Sequence, residues 1–178
     1  PLGGSMFNNV RADARQYRTL GGIRHIGFWI GVIYRFGSFA NRRSLLIRIP
    51  LKIIYFLLNR PVRIFYHVLI PASAQIGPGL ILVHPINVMV DGDAVIGQNC
   101  SIFHGVTVGL GPKPGAPVIG NNVVLFTGSC ILGGITIGDR TEVGPHCVVT
   151  NSVKEKMLVV SPQSRVIPQE LVRREEQS

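Results

Sequence analysis

The chain is poor in the residues that would make it a disulfide-stapled, zinc-binding or membrane-spanning protein. It has three cysteines in 178 residues, Cys100, Cys130 and Cys147. An odd number without CxxC or CxxH spacing argues against a disulfide framework and against a thiolate zinc site. Aromatic residues make up 7% of the chain, and no nucleic-acid recognition motif or aromatic-stacking sheet accompanies its charge, which sets nucleic-acid binding aside. A membrane-spanning helix needs about 20 apolar residues, and the charge-free helical runs, Ile53 to Asn59 among them, are far shorter. Acidic residues are the scarcest before Ile70, where Asp13 alone stands against eleven Lys and Arg, while the remainder holds seven basic and eight acidic residues.

What the chain has in quantity is a beat of six. Aliphatic residues stand at Ile70, Ile76, Leu82 and Val88, then after a two-residue slip at Ile96, Ile102 and Val108, then after a longer insertion at Ile119, Leu125, Ile131, Ile137, Val143 and Val149. Glycine follows directly at Gly77, Gly97, Gly109, Gly120, Gly138 and Gly144, where a corner needs unusual φ or close backbone approach. Four residues after the aliphatic position stand small residues, among them Ala74, Cys100, Val106, Val123, Ser129, Thr141 and Cys147. The hexad predicts a mainly β fold, a parallel β-helix of stacked coils around a narrow triangular interior. Cys100 and Cys147 then read as core filler.

The expected organisation is a cloning scar at 1–5 ahead of a natural start at Met6, a basic amphipathic helical region at 6–69, the β-helix at 70–153 with a loop at 110–117, and a tail at 154–178. No secretory signal follows Met6. Titratable residues interrupt the beat in two equivalent places, His84 two residues after Leu82 and His104 two residues after Ile102. The repeat sets them on one edge of adjacent coils, roughly 4.8 Å apart at the backbone.

The stretches "ILVHPINVMVDGDAVIGQNCSIFHGVTVGLG" and "PVIGNNVVLFTGSCILGGITIGDRTEVGPHCVV" and the tail "LVVSPQSRVI" resemble the hexapeptide-repeat acyltransferases, in the serine O-acetyltransferase branch. The resemblance implies a left-handed β-helix, a homotrimer with active sites in the clefts between subunits, acetyl-CoA as donor with no metal, and a hydroxyl acceptor. His84, in "LVHP", falls on the catalytic-base position. Histidine suits that duty because its ordinary pKa lies near neutrality. His104 would orient the acceptor, carry a proton or support the charge on the thioester oxygen. By the same resemblance Thr127, Gly128, Gly133 and Gly134 would let the pantetheine chain lie against backbone, with Arg165 near Ser161 and Pro162 meeting the nucleotide phosphate. Asp91, Asp93 and Lys113 are the candidate substrate-side residues. Asp91, Asp93 or a backbone carbonyl would orient His84.

The departures from that branch bear on the acceptor. Leu69 stands fifteen residues before His84, where an aspartate would support the base, Ala116 stands where a second histidine belongs, and Thr19 stands where an acid would meet the amino group of serine. These losses make the chain resemble the exopolysaccharide and colanic-acid type O-acetyltransferases, with a sugar or lipid-linked sugar as acceptor. Serine O-acetylation is the alternative within enzymes, and a non-catalytic trimeric scaffold or membrane-surface adaptor the alternative outside them. The basic region has two readings. Its helices rest on anionic lipid, with Phe28, Trp29, Tyr55 and Phe56 dipping in, or they cap the β-helix and pack in the trimer. The expected location is cytoplasmic, and peripheral at the inner membrane face on the lipid reading.

Overall fold

The computed structural model describes residues 5–162. Three helices, α1 (Met6–Gln16), α2 (Ile26–Asn41) and α3 (Leu45–Phe65), precede thirteen short strands. The strands are β1 (Gln75–Ile76), β2 (Ile81–Val83), β3 (Met89–Val90), β4 (Val95–Ile96), β5 (Ser101–Phe103), β6 (Thr107–Gly109), β7 (Val118–Ile119), β8 (Val124–Leu125), β9 (Cys130–Leu132), β10 (Thr136–Ile137), β11 (Glu142–Val143), β12 (Val148–Val149) and β13 (Leu158–Val159). They form three parallel sheets, ordered β1-β4-β7-β10, β13-β11-β8-β5-β2 and β12-β9-β6-β3. Each coil visits the three walls in turn, so the chain climbs a triangular column of about four turns that matches a left-handed β-helix. The aliphatic beat and the small residues between fill its interior: Leu82, Ile96, Ile102, Leu125, Ile131, Val106 and Ser129 are fully buried. Cys100 and Cys147 are free and buried among them.

Glycine at the corner before β2 and its equivalents serves close approach. A Cβ on Gly77 would stand 2.7 Å from the Gly97 carbonyl carbon, and one on Gly97 would run into the Gly120 carbonyl oxygen. Neighbouring coils would have to part to admit a larger residue.

Two register details differ from the expectation. Leu82 pairs with Ile102 and Val90 with Val108. The first coil therefore carries two extra residues between those positions, in the corner that holds His84 and Pro85, and the slip does not follow Val88. Val88 lies six residues after Leu82 by coincidence; it is the second inward residue of its wall, beside Val90. The column also continues past residue 153. Val153 bridges Ile137, and β13 pairs with β11. A shortened step from Val149 to Val153 broke the beat of six, so part of the expected tail is a last partial coil.

The first coil has no coil beneath it, and the helices close that edge. The Asp13 carboxylate, 3% exposed, accepts from Arg35 Nε at 3.0 Å and from the amides of Gly79 and Leu80 at 2.8 and 2.9 Å. Arg35 donates to the Gly77 carbonyl at 2.6 Å and also to that of Ile76. The Tyr34 hydroxyl donates to the Ala74 carbonyl at 2.7 Å and accepts the Ile76 amide at 3.1 Å, while the Tyr17 hydroxyl accepts the Leu82 amide at 2.7 Å. Removing one partner of a buried charge pair leaves the other uncompensated and costs about 3–5 kcal/mol. Asp13→Ala is therefore expected to lower stability by about that amount, read by denaturant unfolding, with an exposed change such as Arg11→Ala within about 0.5 kcal/mol of the parent.

Candidate active site at a histidine-lined corner

The corner between the wall containing β2 and the wall containing β3 is built from a repeated backbone event. His67, Asn87, Gly105, Gly128 and His146 stack in register, and all five have left-handed φ, between 51° and 70°. The amide of each upper member bonds the coil below: Asn87 to Tyr66, Gly105 to Ile86, Gly128 to His104 and His146 to Thr127, at 2.8 to 3.0 Å. His84 lies outside this column. It belongs to the two-residue insertion, takes a left-handed φ of 49°, and its carbonyl accepts the Ile86 amide at 2.8 Å across Pro85. Proline has no N–H to give the ladder. The insertion thus bulges from the column and carries an exposed imidazole, the kind of sparsely populated backbone that collects at functional sites.

All five histidines of the chain collect along this edge. His84 and His104 follow Val83 and Phe103, which pair directly. His67 and His146 occupy the corner column. His25, at the start of α2, brings its ring to 6.2 Å from that of His84. Close packing explains the approach: a Cβ on Gly27 would lie against the Leu82 carbonyl, so only glycine lets α2 start this near β2. His25 Nδ1 accepts the Gly27 amide at 3.1 Å, which leaves the proton of its neutral ring on Nε2. Partial burial, and then the charge of His84, hold the His25 pKa below its ordinary 6.5. The positions of His25 and His67 were not legible from the beat, because both precede it; the twenty-residue offset from His67 to Asn87 is the signal that would have placed His67.

The other predicted residues divide between two corners. Thr127 and Gly128 share the histidine edge, and a Cβ on Gly128 would run into the His146 ring. Gly133 and Gly134 sit at the next corner, where the loop 110–117 covers them: a Cβ on Gly134 would strike the Pro114 carbonyl, and the Gly134 amide bonds the Lys113 carbonyl at 3.1 Å. The close approach that these two glycines permit is made by the chain's own loop, not left open for a pantetheine chain. Lys113 Nζ donates to Asn151 Oδ1 at 2.8 Å. Asp91 and Asp93 follow β3 at this same second corner, with Asp91 Oδ1 accepting the Asp93 amide at 2.9 Å. Neither orients His84 within one chain, because a whole wall separates the two corners. Among the described residues no carboxylate bonds or ion-pairs with His84, and no group of His, Cys, Asp and Glu is placed to hold a metal ion. Arg165 lies outside the described residues. A cavity of about 590 Å³ opens between α1, α2 and β1, lined by Tyr34, Arg35, Arg42 and Arg43 among others, and none of the predicted site residues lines it.

The repeat and the fold agree with known proteins. Residues 116–151 match the family described as bacterial transferase hexapeptide (six repeats). Serine acetyltransferase 1, chloroplastic, of Arabidopsis thaliana is 40% identical over 119 residues, covering 65% of this chain and 38% of that protein. The soybean serine acetyltransferase apoenzyme superposes with a TM-score of 0.76 at 31% identity, covering 92% of this chain and 69% of that one. A serine acetyltransferase solved in complex with CoA has the same fold, with a TM-score of 0.74 at 24% identity, covering 92% of this chain and 70% of that one. The chain belongs to the hexapeptide-repeat acyltransferase family, and the relatives it resembles are serine acetyltransferases. It spans about 38 to 54% of the length of the first curated relatives it matches.

The His25 geometry has a titration consequence. A histidine whose folded pKa is depressed contributes stability that is present above its unfolded value and lost as pH falls through the folded one. In imidazole NMR spectra His25 is expected to titrate below 6.5 and to move upward in His84→Ala, where the neighbouring charge is gone. No movement in that variant would break the coupling between the two rings.

Proposed function

We propose that this chain is an acetyl-CoA-dependent O-acetyltransferase with His84 as general base and L-serine as acceptor. The observation that carries the mechanism is the exposed His84 on its two-residue bulge, at the histidine-lined edge of a hexapeptide column. An imidazole nitrogen of His84 takes the proton of the acceptor hydroxyl as its oxygen attacks the thioester carbonyl. The tetrahedral intermediate collapses with cleavage of the C–S bond, and the proton passes from the imidazolium to the departing CoA thiolate. His104, one coil above, would donate to the developing oxyanion or hold the acceptor. Thr127 and Gly128, on the same edge, are the family-implied residues that would take the donor. The resemblance adds that the site is completed by neighbouring copies in a homotrimer, for which light scattering should give about three times the 19.4 kDa chain mass.

The serine assignment rests on the relatives named above, all serine acetyltransferases, which favour it over the sugar acceptor expected from the sequence. A sugar hydroxyl is kept as the second reading because of one observation at the site. The acid that would support the base is Leu69, the acid expected near the amino group is Thr19, and among the described residues no carboxylate bonds His84.

Thiol release from acetyl-CoA decides between them, with L-serine and a panel of nucleotide-sugars and oligosaccharides offered in parallel. Serine-stimulated release that falls by about 10²–10⁴ in His84→Ala is the expected result. Release with sugars only would transfer the same mechanism to the second reading. No acceptor-stimulated release in either protein would leave a scaffold or adaptor.

A further inference from the structure

Helix α3 is the element that the fold accounts for least. Of its 21 residues only Val62 is buried. It touches the body through α2, where the Tyr55 ring lies over Gly37. Away from α2, Leu46, Ile53, Leu57 and Ile64 fall on one helical line with spacings of seven, four and seven, and the line beside it carries Ile54 and Phe65. These side chains are 47 to 87% exposed. Lys52 and Arg63 recur on a neighbouring line, and Arg60 reaches over the Phe56 ring, 5.4 Å from its centroid. An exposed apolar stripe of this length is costly to leave in water, and no described helix is long and apolar enough to cross a membrane.

We propose that α3 lies in the headgroup region of an anionic phospholipid bilayer, with its apolar stripe among the acyl chains and its cations among the phosphates. Charge selects this occupant. Before Ile70 the sole acid, Asp13, is buried and spent on Arg35, so the other ten Lys and Arg face no acid of their own region. A second copy brought against the stripe would set one cationic rim against another with no exposed carboxylate on the helices to pair with either. An anionic surface pairs with the rim while the stripe is buried, and long Lys and Arg side chains reach from an apolar groove to the headgroups. This surface is independent of the reaction assigned to the histidine corner, and its test reads binding, not turnover.

The test is flotation of the full chain with phosphatidylcholine vesicles, made with and without phosphatidylglycerol. Binding at least about tenfold tighter to the anionic vesicles, weakened by salt, is the expected result. The pair Leu57→Asp with Ile64→Asp should abolish it, and Arg60→Glu with Arg63→Glu should reduce it about tenfold or more. Both variants should keep the parental circular dichroism and elution volume. The charge pair serves if the apolar pair fails to fold. Equal or absent association with the two vesicle types would overturn the proposal. So would a fall in oligomeric state in the apolar variant, which would make the stripe a contact between copies.

Discussion

A stacked column satisfies its backbone coil by coil, except at the bottom, where a row of N–H and C=O groups has no coil beneath it. Each such group left dry and unpaired would cost about 1–3 kcal/mol, and an open parallel edge would also invite pairing with another chain. Here Asp13, Tyr17, Tyr34 and Arg35 take up the amides of Ile76, Gly79, Leu80 and Leu82 and the carbonyls of Ala74, Ile76 and Gly77. The buried ion pair at the centre would be a liability by itself, since burying two charges costs several kcal/mol per ion before they meet. Beyond bonding each other, Asp13 Oδ1 accepts two backbone amides and the Arg35 guanidinium donates to two backbone carbonyls, which offsets the cost. The helical region is a cap before it is anything else.

The cap also sets the chemistry. Once Tyr17 has fixed the start of α2 against β2, Gly27 allows the helix to begin in contact with the Leu82 carbonyl, and His25 arrives beside His84. The other half of the arrangement comes from the column. A regular corner would have placed the residue after Val83 in the ladder, as it does the one after Phe103, whose carbonyl bonds Gly128. Inserting His84 and Pro85 lifts an imidazole out of the stack while the walls on either side stay in register. The base candidate therefore stands on a rigid solenoid rather than on a loose loop, which is the condition for holding a reacting group in place.

Most of the solenoid was legible because its constraint is periodic and local: one inward position in six must be apolar, and its neighbours must be small or turn-forming. Its slips were harder to place. Val88 satisfies the beat counted from Leu82 and also the small inward position counted back from Val90, so composition alone could not say where the extra pair lay. The shortened step to Val153 hid the last coil in the same way. That the helices cap the column was one of two readings of the basic region, but the contacts that make the cap were not legible. Asp13 meets Arg35 across 22 residues and Gly79 across 66, and no periodicity links a helix to the rim of a column. The eleven cations that made the region read as basic and amphipathic were one structural arginine and ten others.

The acceptor question reduces to one charge. A free amino acid brings an ammonium group to the site, and burying or even half-burying it without a carboxylate is unfavourable. The edge around His84 is furnished with imidazoles, an apolar wall at Val83 and Phe103, and the left-handed backbone of the corner column; the nearest predicted acids, Asp91 and Asp93, stand one wall away. Kinship to serine acetyltransferases and the chemistry of this edge therefore pull in different directions. They are reconciled only if a group outside this chain's own corner supplies the carboxylate, as a second subunit facing the cleft would. If the edge acts as it stands, it suits a neutral hydroxyl better than a zwitterion. Family membership constrains the reaction, and the location of a single carboxylate constrains the substrate.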